Sequence, residues 1–381
     1  MKKVIAAVLC LTMLFSTQAL ACKDEGSNMS QSVFISVIAD FFERFISVFK
    51  GSTNEKSDIQ YTAETGQLFE NKKHFKSSHA STIVKMNDGR LMSAYFAGTG
   101  EGYDDVRIWF SVYENGTWSI PSQVPSEDTV AHWNPVLTNY GDFIRLYYKV
   151  GEEIPYWVTK YTDTYDGGKT WTEPKELVAG DTSGGRGPVR NKIFVTADGT
   201  LIAGASTEQG QWRAFFDISV DGGNTWEKTD YIVAKGVNKK DIGMIQPTIW
   251  QDNNGVVHAM FRTDCGRIYR SDSVDGGKTW CEAYSTGLMN NYSGIDCVMT
   301  DDGRLWLVHT PAGMKVRNRL ILSVSEDNGK TWKDVMTLEE SKLNLSAEYS
   351  YPAIIAEGNR LYITYTHSRK TINYAFIEYQ E

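Results

Sequence analysis

The chain has few of the residues that build metal centres or disulfide scaffolds. Of 381 residues, only 5 are cysteine and 6 histidine. Beyond Cys10 the cysteines are Cys22, Cys265, Cys281 and Cys297. None of them has zinc-ligand spacing, and they are too few to staple a chain of this length. Cys265 and Cys281 either pair across neighbouring strands or remain buried free thiols, the reading we prefer. The histidines are scattered, which excludes a recognisable zinc motif. A phosphate loop is missing as well, because "GTGEG" at 98–102 lacks the Lys-Ser/Thr that would follow it. No cofactor is therefore expected, and a structural calcium ion is the one metal the pattern leaves room for. Positive charge is also short. A net charge of −8 argues against a general nucleic-acid binder and requires a local cationic cluster for any acidic ligand. Helix-period apolar stripes become scarce after about residue 60, which leaves short strands and tight turns as the main structure.

The N-terminus is organised differently from the rest. "MKKVIAAVLCLTMLFSTQALAC" combines two lysines, an apolar run and Ala19-x-Ala21, the pattern of a secretory signal peptide over 1–21. Export to the periplasm, the cell surface or the medium is expected. Cleavage after Ala21 would expose Cys22, so lipidation there is weighed equally with simple release. Residues 22–66 are read as a linker carrying an amphipathic helix at 32–50, with Ser36, Asp40, Glu43 and Ser47 along one face. That helix either docks on the main domain or lies in a membrane interface. Residues 51–66 are read as the end of the linker.

From there one phrase recurs: "SVYENGTW" (111–118), "TYDGGKTW" (164–171), "SVDGGNTW" (219–226), "SVDGGKTW" (273–280) and "SEDNGKTW" (325–332). The closing tryptophans are roughly fifty residues apart, the period of a β-propeller with one four-stranded sheet per blade. The segment 346–381 supplies strands that would close a sixth blade with residues 67–75. The fold predicted is all-β: a six-bladed β-propeller over 67–381, preceded by a short helical extension. Within each phrase the Asp accepts hydrogen bonds from turn N–H groups, Gly allows positive φ, and Trp packs beside its blade. Asp166, Asp221, Asp275 and Asp327 are accordingly structural.

These phrases are Asp-boxes, and their spacing resembles the sialidase (neuraminidase) superfamily over roughly 67–381. In that family three arginines hold the substrate carboxylate, an Asp serves as acid/base, and a Glu-activated Tyr is the nucleophile, an exception to the usual pair of carboxylates. Converging guanidiniums suit a carboxylate because their bonds are charge-assisted and often bidentate. The resemblance implies Arg262, in "FRTDCGRIYRSDSVDGG", and Arg317, in "RNRLILSVSEDNGKTW", as two of the three arginines. It implies Tyr349 of "EYSYPAII" as nucleophile and Glu208 of "GASTEQGQW" as its activator. Asp104 of "GTGEGYDDVRIWFS" is implied as acid/base, with Glu101 and Asp105 behind it. The first arginine's place reads "FKSSHASTIV", with His79 there, and the chain resembles a subgroup of sialidases assigned from sequence that share this histidine more than it resembles the well-characterised enzymes. Arg186, Arg190 or Lys192 would then supply the missing charge, and Arg190 is carried forward. Trp133, Asn134, Gln246, Asn291 and Asp296, from polar segments recurring at similar places in successive blades, are read as lining a sugar pocket or as forming inter-blade hydrogen bonds.

An exported exo-α-sialidase acting on sialylated or other acidic glycans is the leading expectation. A lyase or glycosidase for another acidic polysaccharide, containing uronic acid or rhamnose, would use His79 as acid or base. A non-catalytic carbohydrate-binding propeller would need neither Tyr349 nor Asp104.

Overall fold

Short apolar runs separated by box turns become the strands of six four-stranded sheets arranged as a propeller. The structure is a computed structural model and describes residues 54–236, 240–312 and 315–380. The expected signal peptide, Cys22 and the helix at 32–50 lie outside the described residues.

Blade I comprises Ser77–Lys85, Leu91–Gly98, Arg107–Glu114 and Thr117–Trp118, and blade II His132–Asn139, Ile144–Val150, Val158–Thr164 and Lys175–Glu176. Blade III has Phe194–Val195, Leu201–Thr207, Arg213–Ser219 and Glu227–Lys228; blade IV has Met244–Gln251, Val257–Thr263, Arg267–Ser273 and Tyr284–Met289. Blade V consists of Asp296–Met299, Leu305–His309, Arg319–Ser325 and Lys333–Glu340. Blade VI takes Tyr349–Glu357, Arg360–His367 and Thr371–Tyr379 from the end of the chain. Its outer strand is Tyr61–Gln67, antiparallel to Thr371–Tyr379, so the two ends of the propeller close the ring together.

Closure by 61–67 corrects the expectation of 67–75, and it shortens the stretch read as linker. Glu55–Lys56 also pairs, in parallel, with the outer strand of blade V. The physical reason is position. An edge strand is held by its backbone ladder, and Tyr61–Gln67 is almost wholly exposed, so it carries no apolar alternation to read.

The boxes do what their composition implies. Asp275 accepts from the Ser273 hydroxyl (2.8 Å), the Thr279 N–H (2.9 Å) and the Thr279 hydroxyl (2.6 Å). Trp280 then stacks on Phe216 of the preceding blade at 4.1 Å, and Trp171 meets Phe110 at 5.5 Å. Each box thus fastens its blade to the one before. Gly276 and Gly277 adopt φ of 73 and 89°, and a Cβ on Gly277 would lie 2.6 Å from the Ile202 side chain, so a larger residue there would be strained and would push Ile202 aside.

The inner strands share a second feature. Bulges interrupt pairing between His79 and Thr82, Trp133 and Val136, Ile245 and Thr248, and Ser350 and Ala353. Inside them Ala80, Asn134, Gln246 and Tyr351 adopt φ of 57, 39, 55 and 52°. Pro135, Pro247 and Pro352 follow three of these residues, and proline lacks the N–H that a bulge would leave unpaired. The bulge re-aims the side chain it carries.

Candidate functional site

Tyr351 is the centre around which cationic side chains gather. Its hydroxyl accepts from Arg262 Nη1 at 3.0 Å. The guanidinium carbons of Arg190, Arg262 and Arg317 lie 5.2, 5.7 and 5.9 Å from its ring centre. His79 packs its ring 4.3 Å away. Gln246, on the equivalent bulge of blade IV, accepts from the same Arg262 Nη1 at 3.0 Å and so orients the guanidinium. Arg190 donates to the Pro352 carbonyl at 2.7 Å, beneath the tyrosine.

Arg190 and Arg262 are 1% and 7% exposed, and among the described residues neither has a carboxylate within ion-pair distance. Their Nε groups are buried without a partner. Buried cations in this state favour an anion that brings its own hydrogen-bond acceptors. A cavity of about 540 Å³ opens beside Arg262, lined by Trp212, Asn291, Tyr292, Arg317 and Glu348 among others. A larger depression, of about 640 Å³, lies against Phe110, Gly168 and Trp171, where a box turn leans on blade I, away from the arginines.

The acids around the mouth differ in state. Burial raises Glu208 above its ordinary value and Glu101 adds to the rise, against Arg262 and a bond from Trp212. Burial also disfavours the charge on Glu348, but bonds from Arg369 and Ser350 and the field of Arg317 outweigh it and hold this carboxyl below its ordinary value. His79 is pushed well below its ordinary value, first by burial and then by Arg369, Arg317, Arg190 and Arg262. Its imidazole is therefore neutral at pH 7, with both ring nitrogens unpartnered.

Of the residues singled out from the sequence, Arg262, Arg317, Arg190, His79 and Gln246 come together here. Glu208 feels the same Arg262, and Asn291 lines the cavity. Asn134 occupies the blade II bulge that matches Tyr351's in blade VI. Four others stand elsewhere. Tyr349 is packed in the apolar core with Val335, Ala347 and Ile354, its ring 5.0 Å from His367. Trp133 is buried in the core between blades I and II and donates to the Gly151 carbonyl at 3.0 Å. Asp296 is saturated by Lys192 (2.9 Å), Thr248 (2.7 Å), its neighbour's N–H (3.0 Å) and the Ile354 N–H (2.9 Å). Asp104 is exposed and contributes only its carbonyl, to Arg107 at 2.7 Å. These four make none of the contacts around Tyr351 described above. Arg186 and Lys192 are likewise committed, to Asp217 and Asp296. Cys265, Cys281 and Cys297 are free thiols, with Cys281 exposed rather than buried.

Sequence reasoning missed Tyr351, Arg369, Glu348 and Trp212. The signal for Tyr351 was the repeated X-Pro at inner-strand starts: Asn134-Pro135, Gln246-Pro247, Tyr351-Pro352. Arg369 lies in the turn after Arg360–His367, the place in blade VI that corresponds to Arg317's in blade V.

A BNR repeat-like domain model matches residues 89–363. Among solved structures, a protein of unknown function from Dyadobacter fermentans is similar at 17% identity and TM-score 0.68, over 84% of this chain and 99% of that one. A Hadza microbial sialidase is similar at 16% identity and TM-score 0.68, over 83% of this chain and 68% of the other. Trypanosoma rangeli sialidase, in complex with the inhibitor DANA, matches at 16% identity and TM-score 0.64 over 83% of this chain. This chain spans 59% of the trypanosomal enzyme's length. At these identities the likeness is one of fold.

Proposed function

Because the chain belongs to the family of BNR repeat-like domains, we propose that it cleaves glycosides of an acidic terminal sugar, with sialosides as the first substrate class. The observation that carries this reading is the pair of buried guanidiniums, Arg190 and Arg262, that lack a carboxylate partner and converge on Tyr351. Arg262 and Arg317 would hold the sugar carboxylate from the cavity side, with Arg190 reinforcing the field from below.

Tyr351 replaces Tyr349 as the nucleophile in this account. Its oxygen attacks the anomeric carbon, the bond to the leaving oxygen breaks, and the phenol proton passes to Glu208. Arg262, donating to that oxygen, favours the negative charge that develops on it during attack. An acid from the mouth protonates the leaving oxygen, and water then releases the sugar with net retention. A neutral Tyr meets an anomeric centre bearing a carboxylate with less repulsion than Asp or Glu would. Export, expected from the N-terminal segment, would bring the site to glycans outside the cytoplasm.

One observation favours a second reading. The neutral His79 lies 4.3 Å from Tyr351 under the same arginines. Arginines that neutralise a uronate carboxylate, with His79 or Tyr351 taking the proton at C5, would support β-elimination. The two readings separate on product. Incubation with 4-methylumbelliferyl sialic acid should release fluorophore, whereas a uronic-acid polysaccharide should yield no ultraviolet-absorbing unsaturated end. The opposite pair of results would replace the first reading by the second, and saturable binding with neither product would leave a carbohydrate-binding propeller.

A further inference from the structure

Arg369 holds two carboxylates of unequal standing. Its Nε donates to Glu348 Oε2 at 2.8 Å, and Glu348 is fixed in turn by Arg317 (2.7 Å) and Ser350 (2.9 Å) at the base of blade VI. On its other side Nη1 donates to Glu101, which reaches across from blade I. Glu348 is about one-fifth exposed and multiply bonded, so it stays in place. Glu101 is exposed, sits in the connection between Leu91–Gly98 and Arg107–Glu114, and has Gly100 and Gly102 on either side. Gly102 adopts φ 85°, a conformation that lets this loop turn back toward the axis. Arg369 and Ser368 both adopt φ 53°, which projects the guanidinium from its tight turn toward that loop.

We propose that Glu101 is a built-in carboxylate latch, which occupies Arg369 in the ligand-free protein and is displaced by the carboxylate of an incoming acidic sugar. The inference rests on the acidic-sugar reading above and adds the source of its selectivity. A neutral sugar has nothing to offer Arg369 in exchange for Glu101, so it meets a closed contact, while an anionic one replaces a carboxylate with a carboxylate. Displacement also frees the loop at 98–106.

Calorimetric titration of the full-length exported protein tests this, with 2,3-dehydro-N-acetylneuraminic acid, glucuronic acid and the methyl ester of the former as probes. Glu101→Gln removes the competing charge and should lower the Kd of the acid that binds by about five-fold, the size expected for an ion pair whose side chains are about one-third exposed. The methyl ester should bind both proteins equally. Glu101→Ala should behave as Glu101→Gln does, because the effect is loss of a competitor. Hydrogen exchange at 99–105 should rise on ligand addition in the unmodified protein and be high beforehand in Glu101→Gln. Acid binding with an unchanged Kd in both variants overturns the latch and leaves the acidic-sugar reading standing. Weaker acid binding in both variants also overturns it, because Glu101 would then be a direct ligand contact. No binding of either acid to any of the proteins overturns the acidic-sugar reading and the latch with it.

Discussion

Replacing Asp296 by Asn should loosen the ring and remove the carboxylate whose field favours the charge on buried Arg190. The Asp296 carboxylate accepts from Lys192 of the blade III approach, Thr248 of blade IV and the Ile354 N–H of blade VI, as well as from the Cys297 N–H. One side chain, 1% exposed, therefore ties four blades near the axis. An Asn keeps one acceptor oxygen and turns an NH2 group toward a donor. The lost charge-assisted bond to Lys192 costs about 1.5–3 kcal/mol, and the N–H left unpaired costs about 1–3 kcal/mol, so about 2.5–6 kcal/mol in all. At about 2.1 cal/mol/K per residue, a propeller of roughly 320 residues unfolds with an entropy near 0.7 kcal/mol/K. The midpoint should then fall by about 4–9 °C in a thermal melt followed by circular dichroism. Affinity for the acidic probe that binds should fall by less than about ten-fold, because the Asp296 charge acts on Arg190 and not on the cavity-lining Arg262 and Arg317. A melt shifted by less than ~1 °C, or a ten-fold loss of affinity at an unchanged midpoint, would refute the assignment of Asp296 to the scaffold.

The remaining predictions concern the scaffold's closure and its response to acid. A chain starting at Leu68 lacks the seven residues that pair with Thr371–Tyr379 and should melt well below one starting at Asn54; equal melting would show that 61–67 is dispensable. Burial holds His132 and His309 down to about 4 and His79 well below its ordinary value, so between about pH 6.5 and 4 the unfolded chain binds more protons than the folded one. Stability is therefore complete above pH 6.5 and should be lost as the pH falls toward 4, and urea midpoints across that window should show it. In His309→Gln the slope should be shallower, and a slope equal to that of the unmodified protein would contradict the neutral, buried state of His309.

Much of the fold was legible in the sequence because propellers repeat themselves. The Asp-box writes its own hydrogen bonds in one-letter code, and its period counts the blades. Tyr61–Gln67 was illegible for a physical reason: an outermost strand needs only its backbone, so it is written in the polar residues of a linker. The site was legible in part. Arg262 and Arg317 lie beside box-bearing strands whose register the boxes anchor. Tyr349 and Tyr351 are separated by one residue, and regular alternation would put both on one face. The bulge between Ser350 and Ala353 breaks that alternation, sending Tyr349 into the core and Tyr351 toward the arginines. Asp296 looked like a sugar contact because an Asp near an inner strand offers acceptors, and only its neighbours show that all are taken. Arg369 escaped notice because its turn belongs to the blade without a box.

The most direct test of the axial site compares Tyr351→Phe with Tyr349→Phe in hydrolysis of 4-methylumbelliferyl sialic acid. Tyr351→Phe should lower kcat by at least about a thousand-fold, because the attacking oxygen is gone. Tyr349→Phe should keep kcat within a few-fold of the unmodified protein, since its ring packs among Val335, Ala347 and Ile354. Loss of activity in Tyr349→Phe with Tyr351→Phe fully active would contradict the account, and would return the nucleophile to the position that the sequence resemblance alone had marked.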